Sequence, residues 1–128
     1  MTFLRVTKNW SAFKLDYTAF ALEWEAAWNS HSLDRILVHY SNDVVFRSQK
    51  AMRLVGCGEL RGKRALRAYW SAVLEQQTDL SYVVVEVLHG YGMMVITYQN
   101  QHNVLAAETL RFGADGLVVE ASACHVKG

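Results

Sequence analysis

The chain has 128 residues, 52% of them apolar, and a formal net charge of +1. That length suits one domain with its own core, and the apolar share excludes a disordered chain. Balanced charge argues against phosphate-backbone binding as the main task, so nucleic acid is not an expected partner.

No run reaches the roughly 18 consecutive apolar residues of a membrane helix, so no membrane contact is expected. The opening Met1–Lys8 lacks a long apolar region and a small-residue cleavage site, and a cytoplasmic location is expected. The two cysteines, Cys57 and Cys124, show neither C-x-x-C spacing nor a disulfide framework, which fits a reducing compartment. The histidines at 31, 39, 89, 102 and 125 form no ligand ladder. Neither a metal nor an organic cofactor is therefore expected.

Residues 1–16 carry no sustained period and read as an N-terminal arm, leaving 17–128 as a single domain. Tyr17, Phe20, Ala21, Trp24, Ala27 and Trp28 recur at helical spacing and predict a first amphipathic helix. Ser32 suits a helix N-cap and Asp34 the first turn after it, so a second short helix is predicted over Ser32–Tyr40. Ser-Asn-Asp then stops it, and Val44–Phe46 predicts a short strand. The segment with Gly56, Gly58 and Gly62 reads as irregular. A third helix is predicted from Lys63, with Leu66, Tyr69, Trp70, Val73 and Leu74 on one face. The basic run Arg61–Arg67 at its start is either a solvated flank or an anion contact.

Beyond Thr78 the period changes. Leu80–Leu88, Met93–Gln99, Val104–Phe112 and Leu117–His125 are β-rich and about twelve residues apart, with hairpin-length turns between them. They predict a four-stranded antiparallel meander. The preceding helices must cover one of its faces, which makes the fold class α+β.

A two-residue loop at Ala114-Asp115 sets a register for the last hairpin, with Leu110 opposite Val119, Glu108 opposite Ala121 and Ala106 opposite Ala123. One face then collects Val104, Ala106, Glu108, Leu110, Phe112, Leu117, Val119, Ala121, Ala123 and His125. Glu108 is a carboxyl on this apolar face, and the small residues Ala121 and Ala123 leave space beside it. An acid next to a void suits a ligand pocket. The alternative is a glutamate at the sheet rim or paired with an arginine. In this register His125 lies about 13 Å along the strand from Ala121, which disfavours a direct Glu–His pair. As a lone histidine it is otherwise an edge or core residue. Trp24, Trp28 and Trp70 are core aromatics or pocket walls.

The order of parts resembles the nuclear transport factor 2-like superfamily, within it the SnoaL-like (polyketide cyclase) and ketosteroid isomerase-like group. The resemblance rests on Trp28–Asp34, Tyr40–Phe46, Leu60–Trp70 and Glu108–Gly116, and runs from about Tyr17 to His125. It implies a strongly curved sheet closed by helices into a cone whose interior is the pocket. The ketosteroid isomerase site, carried over, places its neutral oxyanion-hole acid on Glu108. It places that acid's tyrosine partner on Trp24 and the general base on Ser48, and neither residue can do the original task unaided. His125 falls on a pocket-lining position.

The expected function is a cofactor-independent acid/base enzyme of isomerase, cyclase or dehydratase type, acting on an apolar small molecule. Glu108 and His125 are the candidate catalytic residues, and Trp24, Ser48, Tyr69, Ala121 and Ala123 the candidate substrate-binding ones. The alternative is a non-catalytic ligand-binding or scaffold protein of the same fold. The resemblance also implies a homodimer through the outer sheet face, where Leu105, Ala107, Val118, Ser122 and Cys124 are expected.

Overall fold

Asp16 opens the first helix by accepting the Ala19 N–H at 3.0 Å, satisfying an amide that the helix itself leaves without a partner. The computed structural model describes residues 15–126; residues 1–14 of the predicted arm lie outside them. Helix α1 (Tyr17–Ser30) ends at His31, whose φ of 61° turns the chain back. Ser32 then caps α2 (Leu33–Leu37) through the Arg35 N–H, as its sequence position suggested. This helix is shorter than predicted. Tyr40 does not end it but begins strand β1 (Tyr40–Ser48), where its ring is fully buried.

The segment read as irregular contains two further elements, α3 (Gln49–Val55) and β2 (Glu59–Arg61). Ser48 closes β1 and caps α3 through the Ala51 N–H at 3.2 Å. Gly56 ends α3 at φ 77°, a conformation glycine adopts without Cβ strain. Helix α4 (Lys63–Gln76) follows and buries Leu66, Tyr69, Trp70 and Val73, the face its period indicated.

The four C-terminal strands are β3 (Val83–Gly90), β4 (Met93–Gln99), β5 (Leu105–Phe112) and β6 (Val118–His125). The first starts later than predicted because Asn29 occupies the backbone of Tyr82. Its amide accepts from Tyr82 N at 2.7 Å and donates to Tyr82 O at 2.9 Å, as a neighbouring strand would.

All six strands form one curved, unclosed sheet in the order β2-β1-β6-β5-β4-β3. The predicted meander is present, but β1 lies parallel to β6, with Phe46 opposite Ala121 and Ser48 opposite Ala123. The remaining pairs are antiparallel. Alternation of apolar residues marks a strand's buried face and not the direction of its partner, so the parallel pair had no local signal.

The last hairpin departs from the predicted register by two residues. Glu108 faces Ala123, Leu110 faces Ala121 and Ala106 faces His125. Two irregularities cause this. The turn closes from Gly113 N to Leu117 O, with Gly116 at φ 83°, and is one residue longer than assumed. A bulge then inserts one extra residue in β6 between the partners of Arg111 and Phe112. A displacement of two leaves the faces of Glu108, Ala121, Ala123 and His125 unchanged. The bulge does move Val118, assigned to the outer face, into the core, where it is fully buried.

Helices α1 and α4 lay Trp24, Trp28, Tyr69 and Trp70 against the inner sheet residues Phe46, Met94, Ile96, Tyr98 and Leu110. Each large side chain buried here contributes about 1.5–3 kcal/mol.

Candidate functional site

Glu108 is the centre of the inner face. Ile96 flanks it on β4 and Ala123 on β6, and the residue is only 4% exposed. Burial raises its carboxyl pKa from 4.5 to about 8, because low-dielectric surroundings penalise the charged form. The alternatives of a rim glutamate or an arginine-paired one do not describe it. Arg47 and Arg111 instead bind Glu120 on the outer face. At neutral pH Glu108 is mostly a carboxylic acid, able to donate a hydrogen bond.

Tyrosines surround it. A negative charge on Glu108 would raise the pKa values of Tyr40, Tyr69, Tyr82 and Tyr98 further, beyond what burial already does. The ring centroids of Tyr82 and Tyr98 are 4.6 Å apart, and Trp24 packs on both at 5.6 and 5.0 Å. Trp28 meets Trp70 edge-on at 5.0 Å. The indole N–H groups of Trp24 and Trp28 are buried without a hydrogen-bond partner. Trp24 Nε1 lies beside the Tyr40 hydroxyl without meeting hydrogen-bond geometry.

These side chains enclose a cavity between the helices and the sheet. Its lining includes Trp24, Trp28, Tyr69, Glu108, Ala123 and His125, and the centre of a water molecule can move through about 20 Å³ of it. That volume holds a water or two. A substrate with a ring must displace aromatic side chains to enter.

The true register changes the standing of His125. It sits opposite Ala106, one diagonal step from Glu108 across the β5–β6 pair, where Cα atoms are about 7–8 Å apart. The expected separation of the two is thus corrected: they share one cavity. His125 is half-buried, and desolvation, with the charges of Lys50 and Arg53, lowers its pKa from 6.5. It is neutral at pH 7.

The remaining candidates divide. Trp24, Tyr69 and Ala123 line the cavity. Ala121 is displaced by the register to face Leu110 and is packed in the core. Ser48 is buried, its hydroxyl accepting the α3 amide and lying beside the Tyr69 phenol. Trp28, read from sequence as a core aromatic or pocket wall, also lines the cavity, as do Tyr82, Tyr98 and Lys50, which were not singled out from sequence. The helical period of Trp28 and the inward parity of Tyr98 carried a usable signal. Lys50, in a segment read as irregular, did not.

No group of three or more His, Cys, Asp or Glu side chains able to hold a metal occurs among the described residues. Cys57 and Cys124 are free and exposed. No helix among the described residues is long and apolar enough to cross a membrane.

Residues 21–126 match the family model of the SnoaL-like domain. A SnoaL-like protein of unknown function from Burkholderia thailandensis is 36% identical, with a TM-score of 0.82 over 90% of this chain and 96% of that one. TerC, co-crystallised with polyporic acid, is 12% identical with a TM-score of 0.70 over 83% of this chain and 88% of its own. An NTF2-like protein of unknown function from Burkholderia pseudomallei is 14% identical, at 0.69 over 87% and 92%. These last two share the fold alone. No curated protein matches the sequence significantly. The match to the family model over most of the chain, together with the 36% identical relative, places it: the chain belongs to the SnoaL-like family.

Proposed function

We propose that this protein is a cofactor-independent acid/base enzyme that moves a proton within an apolar, carbonyl-bearing small molecule. The observation that carries the reading is the pairing of Glu108 and His125 in one cavity with inverted protonation. The carboxyl is raised to about 8 and so holds its proton at pH 7. The imidazole is lowered from 6.5 and so is free to accept one. Titratable neighbours whose environments push their pKa values apart take the acid and base roles. His125 removes a proton from the carbon next to the carbonyl while Glu108 donates to the carbonyl oxygen, giving an enol and the ion pair His125⁺–Glu108⁻. Where the substrate has a double bond beyond that carbon, the enol is a dienol. His125⁺ gives its proton to the far carbon, and the enol O–H returns its proton to Glu108⁻ as the carbonyl re-forms. The double bond has then moved, and the enzyme is restored. Trp24 and Tyr69 would form the walls, with the orphaned indole N–H of Trp24 available to an acceptor on the ligand.

A second reading, ligand binding without chemistry, draws support from Ser48. Its hydroxyl is committed to capping α3, and the resemblance carries the ketosteroid isomerase group's base onto this residue. One experiment separates the two. Deuterium exchange at the α-carbons of 2-indanone, followed by NMR in D₂O, is expected to be faster with the protein than in buffer. Glu108→Gln is expected to slow it by at least about 10²-fold. Exchange no faster than buffer refutes the enzymatic reading.

The same reading includes a homodimer formed through the outer sheet face. There Leu88, Met93 and Leu105 are 55%, 42% and 42% exposed, a share of apolar surface that suits a partner. The two free cysteines support a reducing compartment, the cytoplasm.

A further inference from the structure

Lys50 is a nucleophile that the proton-transfer scheme leaves unused. Among the described residues lining the inner cavity it is the only primary amine, and it shares that lining with Glu108 and His125. Its backbone is fixed on both sides. Ser48 caps α3 through the Ala51 N–H at 3.2 Å, and Ala51 is fully buried. The Lys50 side chain is half-buried. Desolvation, and after it the charge of Arg53, lowers its pKa from 10.5. Glu108 holds its own proton at pH 7 and so gives the ammonium form no counter-charge. A lysine in an apolar cavity beside a protonated acid offers more free amine than one in water, and free amine adds to carbonyls.

We propose that Lys50 forms an imine with the carbonyl group of the ligand. This rests on the acid/base reading above and adds a covalent step to it. The amine lone pair attacks the carbonyl carbon while Glu108 gives its proton to the oxygen. The resulting carboxylate takes one proton from the nitrogen, leaving a neutral carbinolamine. Glu108 then protonates the hydroxyl, the C–O bond breaks, and water leaves as the nitrogen lone pair closes the C=N⁺ bond. The iminium withdraws electrons more strongly than a neutral carbonyl does, so His125 removes the α-proton more readily and an enamine forms. Reprotonation at carbon and re-entry of water return the carbonyl and the amine. The ligand class is thus an aldehyde or an unhindered ketone, because ester and amide carbonyls do not condense with an amine in this way.

Sodium cyanoborohydride, which reduces iminium ions faster than ketones, tests it on the full chain with 2-indanone at pH 7. Peptide mapping by mass spectrometry is expected to find the indanyl group on Lys50 at least about tenfold more than on Lys63, since free amine and not ammonium is labelled. Glu108→Gln should lower the labelling of Lys50. Lys50→Arg keeps the charge but cannot condense, and should slow the exchange of 2-indanone at least about tenfold. Lys50 labelled no more than Lys63 overturns the inference, and the acid/base reading then stands if exchange still outpaces buffer. Selective labelling of Lys50 without accelerated exchange supports the imine and overturns the proton-transfer reading. Neither effect overturns both. The labelling ratio on the unaltered chain decides the matter even if Lys50→Arg fails to fold.

Discussion

Replacing Glu108 with glutamine should make the protein more stable at neutral pH, and the gain should grow with pH. Below pH 4.5 the carboxyl is protonated in both the folded and the unfolded chain, so the acid costs nothing in charge. Between 4.5 and about 8 the folded chain holds a proton that the unfolded chain releases. Stability therefore falls as pH rises through this window, and above about 8 the loss is complete. A shift from 4.5 to about 8 corresponds to a loss on the order of 5 kcal/mol across the window, about 3 kcal/mol of it already incurred at pH 7. Against a total stability of about 5–15 kcal/mol this is large. Glutamine keeps the shape and cannot ionise. Urea unfolding followed by tryptophan fluorescence at pH 5, 6, 7 and 8 measures the difference between the two chains, in which the histidine titrations common to both cancel. That difference should change by about 1.4 kcal/mol per pH unit in favour of the variant. A difference that stays flat from pH 5 to 8 would show that Glu108 is not held protonated, and the acid role would go with it.

Proton exchange by the wild-type chain should follow a bell-shaped pH profile, its acid limb below about 6.5 from His125 and its alkaline limb near 8 from Glu108. His125→Ala should remove the acid limb along with most of the rate. Ala123→Leu places bulk in the cavity opposite Glu108; it should abolish the exchange of 2-indanone and cost about 1–3 kcal/mol by overpacking. Sedimentation velocity should give a dimer mass at micromolar concentration, and Leu105→Glu should convert it to a monomer with unchanged circular dichroism.

How much of this was legible in the sequence depended on the range of the interactions. Helical periods identified the buried faces of α1 and α4 because a core-facing stripe repeats within one element. The inward position of Glu108 was legible for the same reason, since residues alternate across a strand whatever lies beside it. The partner of Glu108 was not, because one long turn and one bulge moved it from Ala121 to Ala123, and the approach of His125 followed from that shift. The resemblance to a known fold located the pocket but could not supply Lys50. That residue sits on α3, a helix of seven residues with Ala51 alone fully buried, which shows almost no period. Its borders were present in Ser48 and Gly56, a cap at each end. The parallel pairing of β1 with β6 lay beyond any local pattern, because the two strands meet across most of the chain.

That pairing has a kinetic consequence. Strand β6 is the last strand in the chain and yet lies inside the sheet, between β1 and β5. Until it docks, β5 is an edge strand and Glu108 stands at that edge, open to water on the side that Ala123 later covers. A glutamate in that setting is ionised at pH 7, because water on that side removes the burial that lifts its pKa above 4.5. The step that seats β6 must therefore collect a proton from solvent as it shuts the carboxyl away from it. Assembly of the sheet becomes proton-consuming, and refolding measured by stopped flow should slow as pH rises from 5 to 8, while that of Glu108→Gln should not.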